Sequence, residues 1–379
     1  MRLVADSGLW STGPVDAAAA TPLVALLEIS GAVLSWTVDD PDDVAPHITF
    51  TDVSRADWLW RIVGEAGHVA LVSAVNGATG KPHSIELTGV DLVPGSAAPL
   101  RRLATGHWLR RWWPASRQDG IAGLDRALLD AEVALLTAGA QSFFPDDTLD
   151  SDVAQLLEPH AAALISHVRS DDSRVVDLAR AGAGLADEIG ADGDRWSELI
   201  AAVDDSSLAL TLPSDRRDDY ALAAGAGAGP RGAGAIARGV APIAWSGVPP
   251  AIFDAGETTV DWSIEAGGTA VVAVVQAAVI GPDPATGIAV RLRSAAIDGT
   301  GTLDATGRAT LPLKDSQRGA LTESAAWDHD WSMTSVVVGA ETSESPEIRE
   351  RVRRWARARL NLPPRDAFLA ETLASESAY

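Results

Sequence analysis

The chain has 379 residues, 46% of them hydrophobic and 22% charged, with a formal net charge of −22. These proportions are those of a globular protein and exclude a disordered or low-complexity chain. The absence of cysteine excludes disulfides, thiol nucleophiles, iron–sulfur clusters and thiolate zinc sites.

The acidity argues against nucleic acid as a partner, because phosphate binding rests on Lys and Arg neutralising the backbone. It argues equally against an anionic membrane surface. Lysine occurs only at Lys81 and Lys314, while Arg, Ala, Gly and Asp abound. That bias reads as the imprint of a GC-rich bacterial genome. Asp6, Ser7 and Gly8 interrupt any apolar run at the start, and Glu28 interrupts the apolar stretch Pro22–Val38. A secretory signal needs a basic start and an unbroken apolar core. No window reaches the ~20 apolar residues of a membrane span. The longest candidate, Thr269–Ile280, reads as a strand, and a cytoplasmic protein is expected.

The length allows two or three domains and enough core to need no metal or disulfide staple. Residues 1–94 mix strand and helix patterns and read as a small α+β domain. Ile29–Val38 and His47–Val53 are expected strands around the acidic turn Asp39–Asp43. Ser54 reads as a helix cap, followed by Trp58, Ile62 and Val63 at helical spacing, with Gly64 and Gly67 ending the segment. His68–Val75 is expected to be a strand, Asn76-Gly77 a turn, and Ser84–Val93 a strand with a bulge at Gly89.

Residues 95–205 read as a helical bundle. Pro99–Trp113 ends at Pro114, and Leu124–Ala140 carries a broad apolar face. Asp150 or Ser151 caps a helix with the stripe Val153, Leu157, Ala161, Leu164 and Val168. Arg174–Ile189 and a short segment around Trp196–Val203 follow.

From Leu208 the period becomes that of strands, and residues 206–342 read as an antiparallel β-sandwich-like module. Its expected strands are Leu208–Leu212, Gly234–Trp245, Thr259–Glu265, Thr269–Ile280, Ala289–Ala296, Arg308–Leu313 and Met333–Val338. Val260, Trp262 and Ile264 alternate with Asp261, Ser263 and Glu265, as on a half-buried strand. Residues 343–379 are a basic helix, opened by the cap pair Ser345-Pro346, and a tail frayed over Ser375–Tyr379. The expected fold class is therefore α+β multidomain: an N-terminal α+β unit, a central helical bundle and a C-terminal β-sandwich-like module with a terminal helix.

Five features invite a functional reading. Gly227, Gly229 and Gly232 satisfy G-x-G-x-x-G. However, the polar Asp215–Tyr220 precedes them and a strand follows, so a linker reading wins over nucleotide binding. Trp327-Asp328-His329-Asp330-Trp331 sets two carboxylates about an imidazole, the raw material of acid–base chemistry or of a divalent cation site. On a strand Asp328 and Asp330 would share one face and His329 the other, which opposes joint action. His160 and His167 lie seven apart, whereas helical metal pairs use spacings of three or four. Arg101, Arg102, His107, Trp108 and Arg110–Trp113 interleave cations with indoles, as a helix end packed in a groove does. On the last helix Arg351 and Arg354 sit beside Val352 and Trp355, forming a basic amphipathic surface for a protein partner.

No G-x-S-x-G elbow is present, and neither a metal nor a cofactor is expected. Thirteen tryptophans, including Trp58, Trp60, Trp112 and Trp113, fit cores and interfaces more readily than sugar platforms. The expected function is a non-enzymatic scaffold or accessory subunit of a bacterial multi-protein system, bound to protein partners. The alternatives are a hydrolase using Asp328, His329 and Asp330, and carbohydrate or ligand binding by the β-rich module.

Overall fold

The computed structural model describes residues 1–12, 21–40, 45–77, 84–144, 149–169, 172–191, 193–209, 234–267 and 270–377. The fold is mixed α+β with two antiparallel sheets. The chain forms two compact units. The first comprises Met1–Trp112, Leu124–Thr211 and Arg354–Tyr379, and the second comprises Trp113–Gly123 and Leu212–Arg353.

The first unit holds a six-stranded sheet. Its strands are β1 (Arg2–Asp6), β2 (Leu9–Thr12), β3 (Val24–Ile29), β4 (Ala32–Thr37), β5 (His47–Phe50) and β6 (Ser84–Glu86), in the order β3-β4-β5-β2-β1-β6. Alternation sorts β3, at the sheet edge, into buried Ala25, Leu27 and Ile29 and exposed Leu26 and Glu28.

The strand expected over Ile29–Val38 is present as β4, but its first residues form a hairpin turn. Ile29 ends β3, Ser30-Gly31 turns, and β4 begins at Ala32. Gly31 has φ of 74°, and a Cβ there would stand 2.2 Å from the Asp52 carbonyl oxygen. The close approach lets the Gly31 carbonyl accept the Thr51 and Asp52 N–H groups.

Helix α1 (Trp60–Asn76) corrects two expectations. Gly64, with φ of 74° and ψ of 164°, kinks the helix without ending it, and His68–Val75 is helical. Ile62, Val63, Gly67 and Leu71 form one buried face at helical spacing. That burial overrides the strand preference of the valines. Gly77 caps the helix by donating to Ser73. The strand expected over Ser84–Val93 shrinks to β6, because Gly89 at φ of 75° turns the chain.

Helices α2 (Ala98–Trp112) and α3 (Arg126–Gly139) follow, with Asp125 capping α3 through the Leu128 N–H. The one helix expected through Val168 divides into α4 (Leu149–Leu157) and α5 (Ala161–Val168) across a 3-10 turn, Glu158–His160. Pro159 lies in that turn, and proline has no N–H to continue the ladder. Beyond α6 (Ser173–Glu188), α7 (Asp194–Ala209) runs through Leu208, where a strand was expected. Trp196, Leu199 and Val203 form its buried stripe. Residues 210–212 of that expected strand lie outside the described residues, as does 225–233 of the glycine-rich stretch.

The second unit is built on one seven-stranded sheet in the order β13-β10-β11-β12-β9-β8-β7. The strands are β7 (Ala237–Ala241), β8 (Val260–Gly267), β9 (Ala270–Ala277), β10 (Ala289–Ser294), β11 (Ile297–Thr302), β12 (Arg308–Lys314) and β13 (Ser335–Val338). The sheet is nearly barrel-shaped. Its two ends approach where Ala340, just past β13, donates to Gly247, and where Glu344 accepts the Trp245 and Ser246 N–H groups. This single curled ladder stands where a sandwich-like module was expected.

Strand β11 escapes the sequence pattern. Gly299 and Gly301 occupy positions where a Cβ would come within 2.8 Å of Leu313 and 2.7 Å of Leu311. Glycine there lets β12 leucines fill the interior, at the expense of any strand-like signal.

Helix α8 (Glu323–Asp328) precedes β13, and α9 (Pro346–Asn361) and α10 (Leu369–Ser377) complete the chain. The expected fraying from Ser375 is replaced by helix, with Ser375 buried. Among the described residues, no helix is long and apolar enough to cross a membrane.

Gly31→Ala should destabilise the protein by about 2–4 kcal/mol, combining left-handed backbone strain with a backbone clash. Urea unfolding, read as a lower midpoint at unchanged slope, measures it.

Candidate functional site

Three places concentrate functional side chains. The first is the segment chosen from sequence. Helix α8, capped by Thr322 through the Ala325 N–H, ends at Asp328, and His329 leaves it in extended conformation. Asp330 then caps a 3-10 turn, Trp331–Met333, by accepting from the Ser332 N–H at 2.9 Å. The segment is therefore a helix–turn corner, and the strand geometry expected for it is absent. Asp328 is exposed. Asp330 is held below the ordinary carboxylate range by its Ser332 backbone and side-chain bonds.

His329 takes a different partner. Its Nε2 lies 2.9 Å from the Ser294 Oγ at the end of β10. The Thr334 hydroxyl, which donates to the Trp331 carbonyl at 2.7 Å, lies 3.1 Å from the same Ser294 oxygen. Ser294 is 1% exposed, so the hydroxyl–imidazole pair faces the interior. Trp331 packs edge-on to His329 at 4.6 Å and donates to the Ala326 carbonyl. Trp327 and Met333, by contrast, are 59% and 81% exposed.

The second place is α9. Its arginines divide by position. Arg349 is 4% and Arg353 3% exposed. Arg349 grips Glu257 through two bonds of 2.9 and 2.7 Å, while Arg353 pairs with Glu257 at 2.9 Å and Asp119 at 3.3 Å. Burial opposes ionisation of Glu257, but the bonds and charges of the two arginines outweigh it and keep its pKa low. Val352, expected at a partner surface, is fully buried, and Trp355 is half-buried beneath the Arg359 guanidinium. A helix side that carries a 0% exposed valine packs inward. Arg351 and Arg354 remain exposed.

The third place was missed in the sequence. Asp130, on the apolar face of α3, is 3% exposed. It accepts from Arg110 of α2 at 2.6 Å, from Arg126 one turn earlier at 3.1 Å and from His160 of the 3-10 turn at 2.9 Å. Burial pushes the Asp130 pKa up, yet the His160 and Arg110 bonds and the arginine charges leave it low. His167 pairs instead with Asp125 at 2.8 Å, so the two histidines share no ligand.

Beside this network, β3, α2, α3 and α4 wall a cleft of about 400 Å³, into which Glu28, His107, Arg110 and Asp152 project. Burial, reinforced by the Arg110 charge, lowers the His107 pKa to about 4 and keeps the ring neutral at pH 7. The legible signal was an acid inside the apolar stripe Leu128, Leu129, Ala131 and Val133, with Arg126 four residues before it.

The remaining indoles are mainly structural. Trp58 and Trp262 are buried, while Trp60 is 43% exposed under Arg61. Trp113 donates to the Ala122 carbonyl. Among the described residues, no three His, Cys, Asp or Glu side chains gather as metal ligands do.

The geometry defines a mixed α+β protein with buried ion networks in each unit. No protein-family model, curated protein or solved structure matches the chain.

Two outcomes test these assignments. His107 binds a proton more readily unfolded, at its ordinary pKa near 6.5, than folded at about 4. Stability must therefore rise with pH across that window and fall on acidification. Between pH 6.5 and 5 the native protein should lose about 2 kcal/mol more than His107→Gln does, measured by urea unfolding.

Arg353→Met should cost about 3 kcal/mol, because it strips a buried pair. Arg354→Met, one residue on and exposed, should stay within about 0.5 kcal/mol.

Proposed function

We propose that the protein is a non-enzymatic scaffold or accessory subunit of a bacterial multi-protein system, acting through protein–protein contacts. The observation that carries this reading is the corner around α8. Trp327 and Met333 project into solvent at 59% and 81% exposure, from a segment tied down by the Thr322 cap, the Asp330 cap and the Trp331–Ala326 bond. An exposed indole on a pre-ordered segment loses little entropy on binding, and tryptophan is enriched among residues that dominate interface energies. Arg351 and Arg354, exposed on α9, add cations that would suit an acidic partner.

The hydrolase reading is supported by the hydrogen-bonded Ser294–His329 pair, since a nucleophile held against a base is the core of acyl-transfer chemistry. Against it stands the burial of Ser294, because an attacking oxygen must come within about 3–3.5 Å of the substrate carbon.

A photo-crosslinking residue at Met333 should give one discrete protein adduct in host cells, and Trp327→Ser should cut its yield at least about tenfold. If the chain gives no adduct and sediments alone in host extract, the scaffold reading fails. Labelling of Ser294 by a fluorophosphonate, lost in His329→Ala, would install the hydrolase reading in its place.

A further inference from the structure

The cleft beside Asp130 has a charge balance that selects a ligand class. Arg110 is committed, with Nε 2.6 Å and one terminal nitrogen 3.5 Å from the Asp130 carboxylate. Arg126 offsets the same acid. His107 is uncharged at neutral pH. Glu28 from β3 and Asp152 from α4 also line the cleft. Both are exposed, and among the described residues neither takes a hydrogen bond or ion pair, while Asp152 acts electrostatically on His107. Asp130 offsets only one of the two guanidinium charges beside it, so the second stands against Glu28 and Asp152 and the balance at the cleft is a single negative charge.

The rest of the lining mixes the polar Thr137 and Gln155 with apolar side chains. Leu26, 58% exposed although it is a leucine on a strand, presents its side chain at the cleft, with Phe144 and Leu156 completing the lining. A volume of about 400 Å³ falls at the small end of ligand pockets, which run from about 300 to 1,000 Å³.

We propose that this cleft binds a small organic ammonium with an apolar body. An ammonium carries three N–H donors and no acceptor. Glu28 and Asp152 offer carboxylate acceptors for them, and Leu26 and Phe144 cover the apolar portion. An anion of the same shape meets two carboxylates against one unmatched arginine charge. The cleft lies in the first unit and the Trp327–Met333 corner in the second, so this inference stands or falls apart from the scaffold reading.

The test uses the full chain at pH 7.5 with 2-phenylethylammonium as the probe and 3-phenylpropionate as its oppositely charged counterpart, by titration calorimetry. The ammonium should bind saturably and the carboxylate should not. Glu28→Gln and Asp152→Asn should each weaken binding about fivefold, the scale of one exposed charge pair, and the double variant about 25-fold. Both side chains are exposed, and an unchanged urea midpoint in the variants isolates the effect to the ligand. Equal binding of the carboxylate, an unchanged affinity in the double variant, or no saturation by 10 mM of the ammonium (roughly the weakest affinity worth calling a site) would each overturn the proposal.

Discussion

A buried carboxylate organises the helical side of the first unit. Asp130 lies on the interior face of α3, where an unpaired charge would cost several kcal/mol. Its cost is offset only because α2, α3 itself and the turn at His160 each deliver a donor to it. The requirement constrains where those elements sit, and the position of α2 in turn brings His107 and Arg110 to the cleft wall. The same logic recurs nearby. Glu371 is fully buried and takes two bonds from Arg359 and one from the Phe368 N–H. Glu132 accepts from Arg102 and the Leu369 N–H, with burial raising its pKa. In this unit Arg102, Arg110, Arg126 and Arg359 are held against acids of the interior.

The second unit solves its packing differently. Its sheet is held by apolar alternation, with Trp262, Ile264, Val275, Leu292 and Leu311 in one buried cluster. Glycines admit the larger neighbours: Gly239 lies under the Trp262 indole, and Gly299 and Gly301 under the β12 leucines. Charge enters where Arg349 and Arg353 meet Glu257, Glu344 and Asp119, and at Asp254, which accepts from the Arg117 and Gly256 N–H groups. The basic face that makes α9 look like a free amphipathic surface is therefore partly a buried clamp, and its surface cations reduce to a few positions such as Arg351 and Arg354.

The elements that could be read in advance were those whose periodicity agreed with their packing. The apolar face of α3, the alternation of β8 and β9 and the Ser345-Pro346 start of α9 are of this kind. Misreadings arose where local preference and tertiary burial disagreed. The valines of α1 favour strand, but their buried neighbours Ile62, Val63, Gly67 and Leu71 keep helical spacing. Gly64 resembled a terminus, yet a glycine at positive φ can turn a helix axis and let the helix resume. Strand β11 carries little strand signal, because after Ile297 its inward residues are Gly299 and Gly301, which make room for others. Of the candidate sites, the acidic–histidine segment was legible as a cluster of residue types, but its true partner, Ser294, stands thirty-five residues away.

Composition and pattern alone determined that this chain is globular, rich in both helix and strand, free of thiol chemistry and strongly acidic. Those are properties of residue type and spacing, which burial does not alter. Tertiary structure decided which charges are used up inside and which face solvent. It buried Arg349 and Arg353 while leaving Arg354 exposed, and it turned His329 toward Ser294. It also set Glu28 and Asp152 on the wall of one cleft. An ion pair depends on side chains meeting in space from distant parts of the chain, and no periodicity along the sequence records where they meet.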